Sequence, residues 1–268
     1  MKIIVNEKEI LEKDDVTAFE IRDKIKSDSD IVILNGFPIK TDYALSEGDK
    51  LTLIKRGEIP SKEELEALMV SRHTPKVHEK VKKAKVAIAG LGGLGSTVAL
   101  ALGRIGVGYL KIIDFDVVEP SNLNRQQYFI KHIGMKKCDA LKDILNEINP
   151  FIEVQKIDTC VGADNIKELF EDVDIVIEAF DGAENKAMIV REILLQTQRP
   201  KIISASGMAG YYSNNLIVSK KMNSRLYMCG DFENEAKINE GLMAPRVGIA
   251  ACHEANMALR LILGEEEA

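Results

Sequence analysis

The sequence predicts an α/β protein in which a doubly wound, mostly parallel sheet follows a small module of strands around one helix. Three observations carry this expectation. From Lys85 onward, apolar runs of strand length alternate with helical spacings. A glycine turn, Gly90-Leu91-Gly92-Gly93-Leu94-Gly95, separates the first of these runs from the first of these helices. Before residue 57, short strand signals flank a single helical segment.

In the small module, residues 2–6 and 8–10 form a predicted hairpin, 17–25 has helical spacing, and 31–34 and 50–54 are strands. Asn35-Gly36 and Glu47-Gly48-Asp49 supply turn chemistry between them. Strands, one helix and strands again in so short a span predict a β-grasp, the ubiquitin-like fold. Glu47-Gly48-Asp49-Lys50-Leu51-Thr52-Leu53-Ile54 resembles the closing strand of the ThiS sulfur carriers. Such carriers end in Gly-Gly, whose free carboxylate is activated. Here Lys55-Arg56-Gly57-Glu58-Ile59-Pro60 follows instead, so the resemblance implies a packing or docking module rather than a substrate.

Residues 58–84 read as a helical linker, with Ser61 and Glu64 at capping-box spacing. Residues 85–268 form the second unit. Strands are predicted at 85–89, 109–113, 152–157, 173–177, 201–205 and 215–219, and helices near 94–105, 137–148, 165–170, 184–196 and 247–263. Continuous apolar strands alternating with helices imply helices on both faces of the sheet and ligands at the strands' carboxyl ends.

Composition narrows the class of function. With 268 residues, 46% apolar and 29% charged, the chain has enough material for one large core and a small one. A net charge of -6 argues against a general DNA or anionic-membrane surface. No apolar run is long enough to cross a bilayer, and the first residues lack the apolar stretch of a signal peptide, so the cytoplasm is the expected compartment. Cys138, Cys160, Cys229 and Cys252 form no Cys-x-x-Cys pair. His73, His78, His132 and His253 share no metal-ligand spacing, so no zinc site is expected.

Gly90, Gly92, Gly93 and Gly95 let backbone approach a phosphate, and the helix that follows adds amide donors at its positive end. Asp114, ending the next apolar run roughly 20 residues on, is placed to accept hydrogen bonds from ribose hydroxyls. Dehydrogenases share this motif, so on the motif alone a nicotinamide enzyme remains open.

The next residues change the balance. Asp114-Phe115-Asp116-Val117-Val118 leads to Ser121-Asn122-Leu123-Asn124-Arg125-Gln126, then to Gly134-Met135-Lys136-Lys137. In this order, after the glycine turn, the chain resembles the ThiF, MoeB and HesA family, relatives of the ubiquitin-activating enzymes, and lies closest to ThiF. The resemblance extends across residues 70–264. It implies a Rossmann-like ThiF-type fold and an adenylyltransferase that joins a carrier protein's C-terminal glycine to AMP, consuming ATP with Mg2+ and releasing pyrophosphate.

It also implies residue roles. Arg125 and Lys137 offset the charge gathered when a carboxylate attacks the α-phosphorus, and Asp116, Asn122 and Gln126 join them around the nucleotide. Out of this context Arg125 and Lys137 are ordinary surface cations. Asp181, past a buried apolar strand, is implied as the magnesium ligand, and a helix N-cap is its competing reading. Lys186 stands where many relatives carry arginine. Ser71-Arg72-His73-Thr74-Pro75 occupies the place where relatives send an arginine into the ATP site of a second subunit, so Arg72 and a homodimer are implied, with local capping by Arg72 as the alternative. Cys229 lies in a stretch matching the long crossover loop, where a cysteine can take part in sulfur transfer; packing is the other reading. Relatives hold this loop region with zinc bound by two Cys-x-x-Cys pairs, which this chain lacks. Residues 241–251 match the segment after the loop under which the carrier tail threads, or form only a tight helix start.

The expected function is therefore adenylylation of a separate ThiS-like sulfur carrier in thiamine thiazole synthesis. Alternatives are activation of another carboxylate, on a molybdopterin-type carrier or a modified tRNA base, and a non-catalytic regulator whose fused module blocks the carrier groove.

Overall fold

The structure, a computed structural model, describes residues 1–73, 76–238 and 241–268. The chain divides into Met1–His78 and Glu79–Ala268.

In the first unit, β1 (Lys2–Val5), β2 (Lys8–Leu11), α1 (Ala18–Ile25), β3 (Ile31–Leu34), β4 (Phe37–Ile39) and β5 (Lys50–Ile54) build a sheet of order β2-β1-β5-β3-β4. β1 and β5 run parallel and the other neighbours antiparallel. Alternation puts Ile3, Val5, Val32, Leu51 and Leu53 on one face, where Ala18 and Ile21 of α1 complete a core. Thr17 and Glu20 close a reciprocal capping box at the start of α1. β4 was not expected, because Phe37-Pro38-Ile39 is short and contains proline. It lies at the sheet edge, where a missing N–H costs no ladder bond, and Asn35 (φ +48°) with Gly36 (φ +87°) makes the tight hairpin turn to it. Ser61 caps α2 (Lys62–Arg72) by accepting from the Glu64 amide at 3.1 Å, while the Glu64 carboxylate accepts from Asn6 Nδ2 at 3.1 Å.

α3 (Val77–Lys83), inside the expected linker, precedes the second sheet. That sheet has seven strands in the order β11-β12-β10-β9-β6-β7-β8. The strands are β6 (Lys85–Ala89), β7 (Tyr109–Ile113), β8 (Glu153–Ile157), β9 (Ile175–Glu178), β10 (Lys201–Ala205), β11 (Val218–Lys221) and β12 (Leu226–Gly230). All neighbours are parallel except β11 and β12. After β6 the chain first winds outward through β7 and β8, then returns to β9 and winds the other way, so the switch point lies between β6 and β9.

α6 (Ile166–Phe170) and α7 (Ala183–Gln196) cover one face, burying Ile166, Phe170, Ile189 and Ile193 against Ala87, Ala89, Val176 and Ile202. α4 (Gly93–Arg104), α5 (Lys137–Ile148) and α8 (Ala244–Leu263) cover the other. The strand expected at 215–219 is a 3-10 turn, Asn214–Leu216, followed by β11, and the stretch around Cys229, expected as loop, is the inner strand β12. Five residues flanked by Arg225 and Asp231 looked like a charged turn. No helix among the described residues is long and apolar enough to cross a membrane.

Candidate functional site at the sheet's switch point

The glycine turn follows β6 directly. Gly90 adopts φ +90°, and a Cβ there would lie 2.9 Å from the Ala179 carbonyl oxygen of the neighbouring β9 turn. Its amide donates to Ile113 O at 2.9 Å. Gly95 permits the closest approach, since a Cβ on it would meet the Gly90 carbonyl oxygen at 1.9 Å. Gly92 is the N-cap of α4 and makes no side-chain cap bond, and no acid occupies the first turn. The helix start is therefore an uncapped, electropositive cradle for an anion.

Asp114 ties two turns together, accepting from the Leu91 amide at 2.7 Å and from the Asp116 amide at 2.8 Å. Each carboxylate oxygen keeps a second lone pair for a hydroxyl. Lys137, the first residue of α5, is only 7% exposed; its Nζ lies 2.8 Å from Asp116 and 3.8 Å from Asp114. The surface-cation reading of Lys137 is thereby corrected: its ammonium is buried between two carboxylates. The adjacent Cys138 thiol points at the carbonyls of Ile112, Asp114 and Ile157, and burial pushes its pKa up to about 11, so it is a packing thiol.

Residues 119–128 run from a 3-10 turn to the start of α4. Asn122 is buried and its Oδ1 accepts from the Glu119 amide at 3.0 Å, shaping the 3-10 turn Pro120–Asn124. Arg125 lies over the start of α4: a Cβ on Gly93 would sit 3.4 Å from its carbonyl oxygen and 3.5 Å from its Cγ. Its guanidinium donates to Asn124 Oδ1 at 2.8 Å and, among the described residues, pairs with no carboxylate. Gln126 is 8% exposed, and its Oε1 is buried with no hydrogen-bond partner among the described residues. This segment is lashed to α4 by residues not anticipated as part of the site. Tyr128 donates to Leu91 O at 2.8 Å, the Gln127 amide donates to Ser96 Oγ at 3.2 Å, and its side chain donates to Thr97 Oγ1 at 3.1 Å. Ser96-Thr97 directly after the glycines was the available signal.

Asp181 follows β9, is exposed, and has no hydrogen-bond or ion-pair partner among the described residues. Gly182, not Asp181, is the N-cap of α7, which corrects the capping alternative. No cluster of three His, Cys, Asp or Glu suited to a metal occurs among the described residues. A free carboxylate beside a phosphate cradle still fits magnesium, which keeps waters and takes its remaining oxygens from phosphates.

Arg72 and Cys229 are the remaining expected participants. Arg72 is the exposed last residue of α2 in the first unit, and the Thr74-Pro75 part of its motif lies outside the described residues. Cys229 corrects the loop expectation: it is 0% exposed within β12, 3.4 Å from Ser219 Oγ, and burial pushes its thiol up to about 12. A buried protonated thiol is a poor nucleophile. Iodoacetamide applied to the native protein is expected to label the exposed Cys160 and Cys252 and to spare Cys138 and Cys229. Mass-spectrometric detection of alkylated Cys229 before unfolding would contradict this placement.

The sequence model of the ThiF family matches residues 65–268, and that of ThiS-like ubiquitin matches residues 1–57. The chain is 30% identical over 199 residues to the molybdopterin-synthase adenylyltransferase of Haemophilus influenzae, covering 69% of this chain and 77% of that protein. It is 32% identical over 198 residues to the sulfur carrier protein ThiS adenylyltransferase of Bacillus subtilis, covering 72% and 58%. Other curated relatives are longer, and the chain spans only 44% and 43% of two of them. Among solved structures, the E. coli tRNA N6-threonylcarbamoyladenosine dehydratase TcdA, in complex with ATP, is similar with a TM-score of 0.68 at 20% identity, covering 78% of this chain and 98% of that one. At that identity the likeness is one of fold.

Proposed function

Because the chain belongs to the ThiF family, we propose that it is an ATP-dependent adenylyltransferase acting on the C-terminal glycine carboxylate of a separate ThiS-like sulfur carrier. The observation that carries this reading is Arg125, a cation without a carboxylate partner among the described residues, set over the uncapped start of α4 beside the unpartnered Gln126 oxygen. A triphosphate supplies the anion that the guanidinium and the helix start lack, and the Gln126 oxygen, itself an acceptor, is left to take a donor such as a nucleotide hydroxyl.

In this reading the ribose hydroxyls bond to Asp114, and the α4 amides and Arg125 hold phosphate oxygens. The carrier's carboxylate oxygen bonds to the α-phosphorus as the bond to pyrophosphate breaks, and the donors offset the charge that builds up. Lys137 is already 3.8 Å from Asp114, so its charge is fixed beside the nucleotide before the nucleotide arrives. Asp181 would hold Mg2+, which supplies charge neutralisation on the departing pyrophosphate. We further assign the enzyme to thiamine thiazole formation in the cytoplasm, acting as a homodimer in which Arg72 serves the second subunit's site. Residues 85–268 act as the catalytic unit, with the diglycine-free module of residues 1–57 as a docking or packing element joined through 58–84.

Incubation with ATP, magnesium and a diglycine-ended carrier is expected to give ATP–pyrophosphate exchange that requires the carrier. ATP, and not NAD, is expected to raise the melting temperature. Protection by NAD alone would return the site to dehydrogenase chemistry; protection by ATP without exchange would leave a nucleotide-binding regulator.

A further inference from the structure

Lys186 lies on the first turn of α7 and points back beneath the turn that carries Asp181. Its ammonium contacts both carboxylate oxygens of Glu178, at 3.0 and 2.9 Å, and donates to the Phe180 carbonyl at 3.1 Å. Glu178 is 0% exposed and also accepts from the Phe180 amide at 2.8 Å and from the Ser204 hydroxyl. Both backbone polar groups of Phe180 are thereby pinned, one residue before Asp181. The same turn is what Gly90 packs on: a Cβ there would meet Phe180 Cδ1 at 3.0 Å as well as the Ala179 carbonyl. One clamp thus sets the height of the Asp181 turn against the phosphate cradle.

A second acid makes the arrangement more than a local ion pair. Glu254 of α8 is 0% exposed, and neither of its carboxylate oxygens has a hydrogen-bond partner among the described residues. Burial pushes its pKa well up, the nearby Lys186 charge opposes that rise, and Glu178 adds to it. Lys186 is thus the cation facing two buried acids, and only one of them is bonded to it.

We propose that Lys186 is a positioning residue of the adenylation site, acting through Glu178 and Phe180 to hold the Asp181 turn beside the glycine turn. This rests on the adenylyltransferase reading. Misplacement of a reacting group by about 1 Å can cost about a hundredfold, so a loosened turn slows the chemical step while the rest of the nucleotide contacts persist.

The test compares the full-length wild type with Lys186→Arg, Lys186→Met, the double variant Glu178→Gln/Lys186→Met, and Glu254→Gln, by exchange kinetics and melting temperature. Lys186→Met is expected to lose stability, because it strands a buried carboxylate, and to lower kcat by about tenfold to a hundredfold. The double variant removes both charges, so it recovers most of the melting temperature; kcat stays low, and KM for ATP changes less than kcat. Lys186→Arg keeps the clamp and most of kcat, and Glu254→Gln leaves kcat unchanged. Recovery of kcat together with stability in the double variant would reduce Lys186 to a structural role and overturn the proposal, as would full kcat in Lys186→Met. If the wild type gives no exchange, the adenylyltransferase reading falls, and the clamp is judged by calorimetric ATP affinity with and without magnesium. Loss of the magnesium-dependent gain in the double variant supports it, and equal gains in wild type and double variant overturn it.

Discussion

Arg125→Ala is expected to lower carrier-dependent ATP–pyrophosphate exchange by about two to three orders of magnitude, the cost of removing one preorganised donor from a developing anion. In free-energy terms that is roughly 3–4 kcal/mol of transition-state stabilisation. The protein should remain folded, because the guanidinium's contacts are with its neighbour Asn124 at 2.8 Å and the Ser121 carbonyl at 3.5 Å. A change in stability within about 0.5 kcal/mol is expected for a side chain so loosely engaged. Because the α4 amides and Asp114 still bind the nucleotide, kcat and kcat/KM should fall together. Lysine should rescue poorly, since a point charge cannot bridge two phosphate oxygens as a planar fork does. Exchange within twofold of wild type in Arg125→Ala would remove this residue from the chemistry and with it the main support for the assignment.

Arg246→Ala is expected to destabilise the second unit by about 3–5 kcal/mol, the usual consequence of stranding one member of a buried ion pair. Arg246 is 3% exposed and pairs with Asp231, while donating to the Tyr212 carbonyl at 2.7 Å and the Ser213 carbonyl at 3.0 Å. Asp231 in turn accepts from the amides of Glu233 and Asn234, both at 2.9 Å, and from the Asn234 side chain at 2.6 Å. Gly207, at φ +76°, is pressed so close that a Cβ would lie 2.1 Å from Asp231 Oδ1. One ion pair thus joins three parts of the crossover region to the start of α8, a place where the sequence offers no cysteine pairs for a metal.

The same carboxylate predicts an acid limb. Burial pushes the Asp231 carboxyl up, but the hydrogen bonds from Asn234 and Glu233, together with Arg246, outweigh it and hold the pKa at about 2, below the ordinary 3.8. A depressed folded-state value means that the stabilisation is complete above about pH 4 and is lost as pH falls toward 2. The difference amounts to about 2 kcal/mol. Urea midpoints measured at pH 7, 4 and 2.5 should fall across this window in the wild type and fall less in Arg246→Met. Equal acid sensitivity in both would mean that Asp231 is not the group responsible.

The site was legible where its parts are consecutive. Gly90 to Gly95, Asp114, Asn122, Arg125, Gln126 and Lys137 lie in short motifs at the ends of strands, and a parallel α/β sheet brings those ends to one edge. Cys229 was misplaced for the opposite reason. β12 is a strand only because β10 and β11 pair with it from either side; alone, Leu226–Gly230 looks like the tail of a charged loop. Lys186 carried a sequence signal, as a cation where relatives hold arginine, but its partner Glu178, the Ser204 that bonds to Glu178 and the facing Glu254 come from three other elements, and no spacing rule links them. Lys137 had the right residue type and place, yet its burial between Asp114 and Asp116 follows from the packing of α5 against the sheet.

What the sequence determined by itself is local: the glycine turn, the alternation of strands and helices, the Ser61 cap of the linker helix, and the order of the nucleotide motifs. Each depends on residues within a few positions of one another, so backbone sterics and apolar periodicity suffice to write them. Tertiary structure alone decided which charges are paired and which are free. Lys137, Lys186 and Arg246 are neutralised by acids on separate elements, while among the described residues Arg125 pairs with no carboxylate and Asp181 with no cation. A charge's energy depends on what lies within a few ångströms and on how much water has been removed, and both are set only when distant segments close over it.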